Sequence, residues 1–245
     1  ENFKYLFSVP SFWEVLRNTL IISTYNLVLG FPAPIILALL LNEVRHAKFK
    51  KVVQTISYLP HFISWVVLGG IFVQFLSPSS GPINVVLKAL GRNPIFFLAD
   101  PRWFRTVLVV TSIWKGVGWN SIIYLATLSS IDPEQYEAAD IDGANRLQKM
   151  LHITLPGLSH VVTIMLIFAV GGLIQDNFDQ IYNLLLSPTV YSVGDVLSTY
   201  TYRMGLVNME YSFSTAVGLF TNVVSFVLIV ITNAIAKRIN EYGIW

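Results

Sequence analysis

The segment that decides the fold lies at residues 131–158 and reads IDPEQYEAADIDGANRLQKMLHITLPGL. It is the most polar stretch of an otherwise apolar chain. Five carboxylates fall between Asp132 and Asp142, and a long apolar run lies on each side. Because unpaired backbone polar groups are costly inside a lipid bilayer, polar sequence between two membrane-length runs must lie in water. The pattern therefore predicts a water-exposed loop that joins two membrane spans.

The residues of this loop predict two short helices separated by a turn. Asp132 can accept hydrogen bonds from the free N–H groups of a first helix, and Pro133 suits the first helical position. Asp132 and Gln135 also have the spacing of a capping box. Gly143 can end the helix in the left-handed conformation, and a second short helix is expected over residues 144–151. The loop is predicted to be a helix–turn–helix on the membrane face that serves as a docking element.

The same residues resemble a known motif. Glu137-Ala138-Ala139, then Gly143 after three residues, then Ile153-x-Leu155-Pro156 after nine more, is similar to the EAA loop of permease subunits in binding-protein-dependent ABC importers. The resemblance implies an all-α membrane protein, the type I ABC importer permease bundle. It also implies that the loop is a cytoplasmic coupling helix docked on an ATPase.

In that family the loop transmits the closing motion of the ATPase. The resemblance implies that Glu137 is the acidic contact, that the two alanines allow close approach and that Gly143 makes the turn. The implied coupling residues are Glu137, Ala138, Ala139, Asp140 and Gly143. A mostly acidic helix with small residues also suits a basic or helix-N-terminal socket on physical grounds. The alternative is a solvated loop without a partner.

Composition defines the broad class. Of 245 residues, 54% are hydrophobic and 12% are charged, whereas soluble domains have about 25% charged residues. The chain is therefore predicted to be an integral membrane protein. A net charge of +2 is too small to indicate a nucleic-acid partner. The four histidines lack metal-ligand spacing, and no phosphate-binding G-x-x-x-x-G-K-[ST] motif is present. No metal or cofactor is expected in this chain, which is not predicted to be an enzyme; ATP and Mg²⁺ would be bound by the partner ATPase.

Five apolar runs are long enough to cross ~30 Å of hydrocarbon, which takes about 20 residues. We predict membrane spans at residues 15–41, 52–76, 104–128, 158–184 and 211–236. Pro32 and Pro34 are expected to bend the first span because each removes a backbone donor. Pro60 and Gly69-Gly70 favour a kink and close helix contact in the second.

Charge and alternation predict the orientation of the chain. The short loop at residues 42–51 is rich in Arg and Lys, which favours the cytoplasmic side. With five spans, Glu1 lies outside and Trp245 lies inside. The chain is expected to form one multi-pass domain, residues 1–245, in a bacterial cell membrane. The coupling loop of this domain is residues 131–157. Because the family usually has an additional span at the start, we expect one before Glu1.

Polar residues within the predicted spans indicate a path for a substrate. Lys115 falls near the middle of the third span, where a charge costs ~2.5–3.5 kcal/mol, so it should face a bundle interior or a watery cavity. Aromatic and hydrogen-bonding residues nearby suit a sugar, and the candidate path residues here are Trp114, Lys115, Trp119, Asn120 and Tyr124. Alternatively, Lys115 is in a buried ion pair or extends to an interface, and the tryptophans are packing residues.

A second set of polar residues lies in the fourth predicted span. Its members are spaced i, i+3, i+4 and i+7, so they would share one helix face: Asp176, Asp179, Gln180 and Asn183. This stripe would line the path and offer acceptors to hydroxyl groups. Alternatively, the helix leaves the membrane there.

Further resemblance covers most of the chain. The stretch at residues 178–182, FDQIY, is similar to the F-D-x-I-Y of sugar permeases, and runs between 193 and 220 resemble permeases for oligosaccharides from plant or algal polysaccharides. The resemblance implies four kinds of partner: a second permease, two cytoplasmic ATPases, an external solute-binding protein and an oligosaccharide. Alternatives are a same-fold importer for amino acids, peptides or phosphate, and an ion-coupled transporter that uses Lys115 and Asp176.

Overall fold

The computed structural model describes residues 2–240 and 243–244, and these residues form helices and no strand. Glu1 and Trp245, to which the orientation prediction refers, lie outside them. The α-helices, in chain order, are α1 (Asn2–Ser8), α2 (Pro10–Tyr25), α3 (Pro32–Glu43), α4 (Ala47–Tyr58), α5 (Trp65–Phe75), α6 (Pro82–Ala89), α7 (Pro101–Ser129), α8 (Pro133–Ile141), α9 (Arg146–Lys149), α10 (Leu155–Gly171), α11 (Phe178–Leu184), α12 (Tyr191–Gly194), α13 (Leu197–Tyr202) and α14 (Tyr211–Asn240).

Three continuous helices in the described chain are long and apolar enough to cross a membrane. They run over Pro10–Glu43, Arg146–Ile174 and Tyr211–Arg238. A fourth candidate is a pair of helices, Ala47–Phe62 and Trp65–Phe75, bent by 104°. At about 1.5 Å per residue, the 29-residue α7 is also long enough to span, but it carries three cations and is less apolar. Five spans therefore stay a prediction, and three or four are supported.

The first predicted span lies within one continuous helix, Pro10–Glu43, and the bend at its prolines stays a prediction. It passes from α2 to α3 through a π turn, Asn26–Gly30, directly before Pro32. The Phe31 N–H donates to the carbonyl oxygen of Asn26, 3.1 Å away, which is the wider π pattern. A wider turn next to a proline provides space for the proline ring and accommodates the absence of its backbone N–H donor. The helix therefore continues to Glu43.

The second predicted span, residues 52–76, is not continuous. Helix α4 passes into a 3₁₀ turn, Leu59–Phe62, that contains Pro60. The chain then becomes extended at Ile63 and Ser64, and the Ser64 side chain caps α5 by accepting from the Val67 N–H at 3.4 Å. The predicted kink thus occurs at the expected proline, but as a complete break.

Helix α7 lies at the centre of the bundle and contacts α2, α3, α4, α10, α11 and α12. Its crossing with α4 is very close, since a Cβ added at Gly118 would lie 2.0 Å from the carbonyl oxygen of Ser57. One apolar cluster joins α7 to α3 and α10, around Tyr124 and Leu158. A second cluster, around Phe104 and Ile181, joins the other end of α7 to α2 and α11. Both ends of α7 are therefore fixed by buried side chains.

The fourth predicted span, residues 158–184, both begins and ends earlier than expected, since the observed helix runs over Arg146–Ile174. Helix α10 ends in a 3₁₀ turn, Gly172–Ile174, and Gln175 is extended. Asn177 then caps a new helix, α11, by accepting from the Gln180 N–H at 3.1 Å. We call residues 175–177 the break. Asp176 lies in the break and not on α11, so the predicted single helix face with Asp179, Gln180 and Asn183 is wrong.

Candidate functional site: an acidic loop and a polar cleft

The acidic loop folds largely as its capping residues predict. Helix α8 begins at Pro133, and the Asp132 carboxylate accepts from the Glu134 N–H at 3.0 Å. The predicted box with Gln135 does not form in this way, because the Gln135 N–H donates to the backbone oxygen of Asp132. The capping box forms instead at α9, where Asn145 and Gln148 exchange side-chain and backbone hydrogen bonds of 2.8 and 3.0 Å.

Gly143 makes the predicted left-handed turn, with φ of +75°. The second helix of the loop differs from the prediction. Helix α9 continues through a π turn, Met150–Thr154, into α10, so Arg146–Ile174 is one helix. The loop is therefore one short helix, α8, placed by a glycine turn against the end of a membrane span.

Two side-chain contacts connect α8 to this long helix. The Lys149 amine lies 2.6 Å from the Asp140 carboxylate, and the hydroxyls of Tyr136 and Thr154 are 3.1 Å apart. Asp140, one of the implied coupling residues, thus already has an ion-pair partner within the chain. The contacts position α8 on the long helix, although an exposed ion pair adds little stability.

The outer surface of α8 is available for a partner. Glu137 and Ala138 are exposed and Ala139 is half-buried. Ile141 is 88% exposed, although it is a large apolar residue within an acidic helix. An exposed apolar side chain with an acidic surround is typical of a protein contact site. Sequence reasoning missed Ile141, whose signal was the single large aliphatic residue among the carboxylates.

Lys115 is not among the residues that line the clefts described below, and no carboxylate in the described part of the chain forms an ion pair with its amine. Its amine donates to three backbone carbonyl oxygens at the bend between α4 and α5: Pro60 at 3.2 Å, His61 at 2.7 Å and Ile63 at 2.6 Å. The amine also lies 5.6 Å from the centre of the Trp65 ring. The charge therefore satisfies carbonyls that the break in the helix leaves without helical donors.

Three further predicted path residues contact the same bent pair. Trp119 stacks on His61, with ring centres 4.4 Å apart and planes at 3°. Trp114 contacts the edge of Phe72. Asn183 packs on α5, because a Cβ added at Gly69 would lie 2.9 Å from the Cβ of Asn183. Trp114, Lys115 and Trp119 thus group with Asn183 around the bend.

The other predicted path residues meet in a cleft of about 750 Å³. We call it the main cleft. It lies between α2, α3, α7, α10 and the break, and the predicted residues that line it are Asn120, Tyr124, Asp176, Asp179 and Gln180. Its size is within the range of ~300–1,000 Å³ typical of small-molecule sites. The lining contains two carboxylates, several amides and hydroxyls, and none of its described residues is a cation.

The carboxylates and amides of the main cleft have different partners. Gln180 is buried, and its amide donates to the Leu108 carbonyl oxygen at 2.6 Å and to the Thr111 hydroxyl at 2.9 Å. Its side chain therefore holds α11 against α7. Asp176 accepts from both the N–H and the hydroxyl of Ser198, which connects the break to the start of α13. Asp179 is exposed, so its carboxylate faces the open space of the cleft.

A buried polar network beyond the cleft was not predicted from the sequence. Asp195, whose side chain is 8% exposed, pairs with Arg203 at 2.5 Å and accepts from the Thr199 hydroxyl at 2.8 Å. The hydrogen bonds that Arg203 donates to the Asp195 carboxylate raise the pKa of Arg203, so the guanidinium stays charged. Arg105 donates to the Asn18 side chain, which in turn donates to the Asp195 carbonyl oxygen. The network joins α13 to α2 and α7.

Comparison with known proteins identifies the family. Residues 30–241 match the family described as "Binding-protein-dependent transport system inner membrane component". The chain belongs to this family, and is a multi-pass membrane protein with the all-helical type I ABC permease fold.

Particular relatives cover the whole chain. It is 45% identical over 245 residues to Protein LplB of Bacillus subtilis (strain 168), covering 77% of that protein. It is 43% identical to the polygalacturonan/rhamnogalacturonan transport system permease protein YteP of the same organism, covering all of this chain and 76% of that protein. A chain of a bacterial alginate ABC transporter, solved with an alginate pentasaccharide-bound periplasmic protein, superposes with a TM-score of 0.95 at 43% identity. The superposition covers all of this chain and 84% of the transporter chain.

Proposed function

We propose that this chain is one permease subunit of an ATP-driven importer for oligosaccharides that an external solute-binding protein delivers. One observation carries the proposal beyond family membership. The acidic loop is connected by a single helix, Arg146–Ile174, to the break that lines the main cleft. A force on α8 therefore acts on the substrate path through one rigid element.

The proposed mechanism begins at the cytoplasmic face. Two partner ATPases, which hold ATP and Mg²⁺, close around the nucleotide and move the docked helix α8. The contacts of Asp140 with Lys149 and of Tyr136 with Thr154 pass this displacement to the long helix. Its far end, at the break, then changes the width of the main cleft. Such a change is a rigid-body switch between two states, whose populations nucleotide and loaded binding protein both bias.

The proposed topology has five spans, with α7 and the bent α4–α5 pair each crossing the membrane once. The basic loop after α3 then lies in the cytoplasm, together with α8 and the C-terminus. A second, similar permease would supply the other wall of the main cleft. The coupling contact would consist of Glu137, Ala138, Ala139 and Gly143, with Ile141 as an apolar centre.

The lining of the main cleft supports a hydroxyl-rich substrate. Asn120 and Asp179, which are both exposed, offer an amide and a carboxylate to sugar hydroxyls. Relatives named for polygalacturonan, arabinooligosaccharide and alginate transport favour oligomers from plant or algal polysaccharides. Lys115 and Asp176 bind different partners in the described structure, which removes support from the ion-coupled alternative. The same-fold alternative for amino acids, peptides or phosphate has no relative in its favour among those described above.

The test is the ATPase activity of the purified complex in lipid. The complex contains this chain, a second permease and the ATPase, and it is measured with the binding protein empty or loaded with galacturonate, alginate or arabinose oligomers. We expect one loaded oligomer to stimulate hydrolysis. An intact complex that responds to no sugar, but responds to loaded amino acids or peptides, would overturn the substrate class. If no ATPase co-purified, the proposal for α8 would fail.

A further inference from the structure

A second cleft lies next to the main cleft, on the other side of the break. Its volume is about 510 Å³, within the range of small-molecule sites. Gln175, Asp176 and Phe178 line both clefts. The remaining wall comes from α13 and from the first turns of α14. The two clefts are therefore neighbours that share one short segment of chain.

An aromatic cluster forms one side of the second cleft. The rings of Phe178, Tyr182 and Tyr202 contact each other, with centre-to-centre distances of 5.1, 5.2 and 5.2 Å. Phe178 and Tyr202 line the cleft, and Tyr182 is 49% exposed beside them. Aromatic rings offer a flat apolar face together with a polar tip. Such a face suits the C–H side of a sugar ring.

Polar side chains also line the second cleft. Thr221 and Asn222 of α14 line the cleft, as do Ser198 and Thr201 of α13. Asn222 is exposed, so its amide is accessible to a ligand. A lipid chain would meet these amides and hydroxyls instead of apolar carbon, which is unfavourable for the chain. The combination of aromatic rings with amide and hydroxyl groups in one cleft fits a carbohydrate.

Asp176 links the two clefts. Its carboxylate accepts from the Ser198 N–H at 3.2 Å and from the Ser198 hydroxyl, so it connects the break to α13. It lines both clefts from this position. A ligand that extends from one cleft to the other would pass the same carboxylate, which can accept from its hydroxyls.

We propose that the second cleft binds additional units of the same oligosaccharide that occupies the main cleft. This inference rests on the proposed function. It assigns two adjacent subsites to this subunit, divided by the break, and it makes the second subsite specific for longer oligomers. Chains that fit within the main cleft alone do not contact Tyr202 or Asn222. Longer chains gain both contacts.

Two glycines allow each cleft to be filled separately. A Cβ added at Gly218, in the second cleft, meets nothing within 4 Å, and the same holds at Gly172, in the main cleft. Gly218→Leu therefore fills the second cleft without a backbone clash, and Gly172→Leu fills the main cleft. Gly70 is also open, but it lines neither cleft, so Gly70→Leu is the matched control.

The experiment measures ATP-driven uptake by the complete complex in proteoliposomes. The probes are galacturonate, alginate and arabinose oligomers of two to six units, supplied on the binding protein. For Gly218→Leu we expect the ratio of hexamer to dimer uptake to fall by about tenfold, the effect of losing roughly one well-formed contact. For Gly172→Leu we expect uptake of all lengths to fall together. Gly70→Leu should keep the wild-type ratio.

The outcomes separate the two proposals. If the wild type transports oligomers but Gly218→Leu keeps the wild-type length ratio, the second subsite is refuted and the importer function stands. If the wild type transports none of the oligomers, both proposals fail. Asn222→Ala provides a second measurement that does not depend on tolerance of a large side chain. We expect it to lower the same ratio by a smaller factor, and an unchanged ratio would contradict the subsite.

Discussion

Replacing Lys115 by methionine tests whether the bend between α4 and α5 depends on one amine. The side chain has a similar length, but it cannot donate to the carbonyl oxygens of Pro60, His61 and Ile63. The Pro60 oxygen also accepts from the Ile63 N–H at 3.3 Å, so the loss falls mainly on the other two. An unsatisfied buried group costs ~1–3 kcal/mol. Part of this cost is offset because methionine has no charge to desolvate.

The expected net destabilisation is about 2–4 kcal/mol, which corresponds to a fall in Tm on the order of 10 °C for a chain of this size. Thermal unfolding of the purified complex measures it. The bend itself is monitored by a cysteine introduced at Ser64, since the chain has none of its own. We expect Lys115→Met to increase the rate at which this thiol is labelled, and Lys115→Arg, which keeps several donors, to change both quantities much less.

The reasoning would be refuted by Lys115→Met with wild-type Tm and wild-type labelling. Such a result would mean that water or a partner subunit satisfies the three carbonyls. Loss of uptake without loss of stability would instead assign the amine to the substrate path.

Three other changes test separate parts of the account. Glu137→Lys should lower uptake about tenfold or more while the complex still assembles and hydrolyses ATP, since it reverses one charge at the docking surface. Glu134→Lys on the same helix is the control. Equal uptake by both variants would contradict the coupling role. Asp179→Asn should increase uptake of galacturonate oligomers relative to arabinose oligomers by a few-fold, because it removes a negative charge that repels the galacturonate carboxylates in a cleft whose described lining has no cation. An unchanged ratio would show that this carboxylate does not face the substrate. Asp195→Asn should destabilise the protein by about 3 kcal/mol, because it removes the negative charge that pairs with Arg203. Thermal unfolding that matches the wild type would disprove a structural role for the ion pair.

Local chemistry predicted the acidic loop well. The Asp132 cap, the start at Pro133 and the left-handed Gly143 depend on residues within one or two turns of each other, so their sequence signals are complete. The continuity of α9 with α10 was missed, because a π turn has no clear sequence signature.

The break at residues 175–177 could not be predicted from the local sequence. The spacing of Asp176, Asp179 and Gln180 has helical periodicity, and nothing local excludes one helix. The helix stops there because Asp176 binds Ser198 and Gln180 binds Leu108, which are contacts with distant parts of the chain. Only tertiary structure provides those partners.

The residues of the candidate path were predicted only in part, again because the local sequence does not show contacts with distant parts of the chain. Residue type suggested that Lys115 and the nearby tryptophans face a cavity, but an amine that satisfies backbone carbonyls has the same sequence pattern as one that lines a path. Asn120 and Tyr124, one helical turn apart, do line the main cleft. Which face of α7 meets the cleft depends on how α7 packs against α3, α4 and α10, and this packing could not be read from hydropathy.

The central claim is that α8 acts on the main cleft through one rigid helix, and spin labels measure this most directly. Labels at Leu147 and Phe168, which are both exposed, would be ~32 Å apart along the helix. A third label at Val28 reports the opposite side of the cleft. We predict that ATP binding leaves the Leu147–Phe168 distance unchanged and shifts the Phe168–Val28 distance. A change within the helix, or a cleft that does not respond to ATP, would contradict the account.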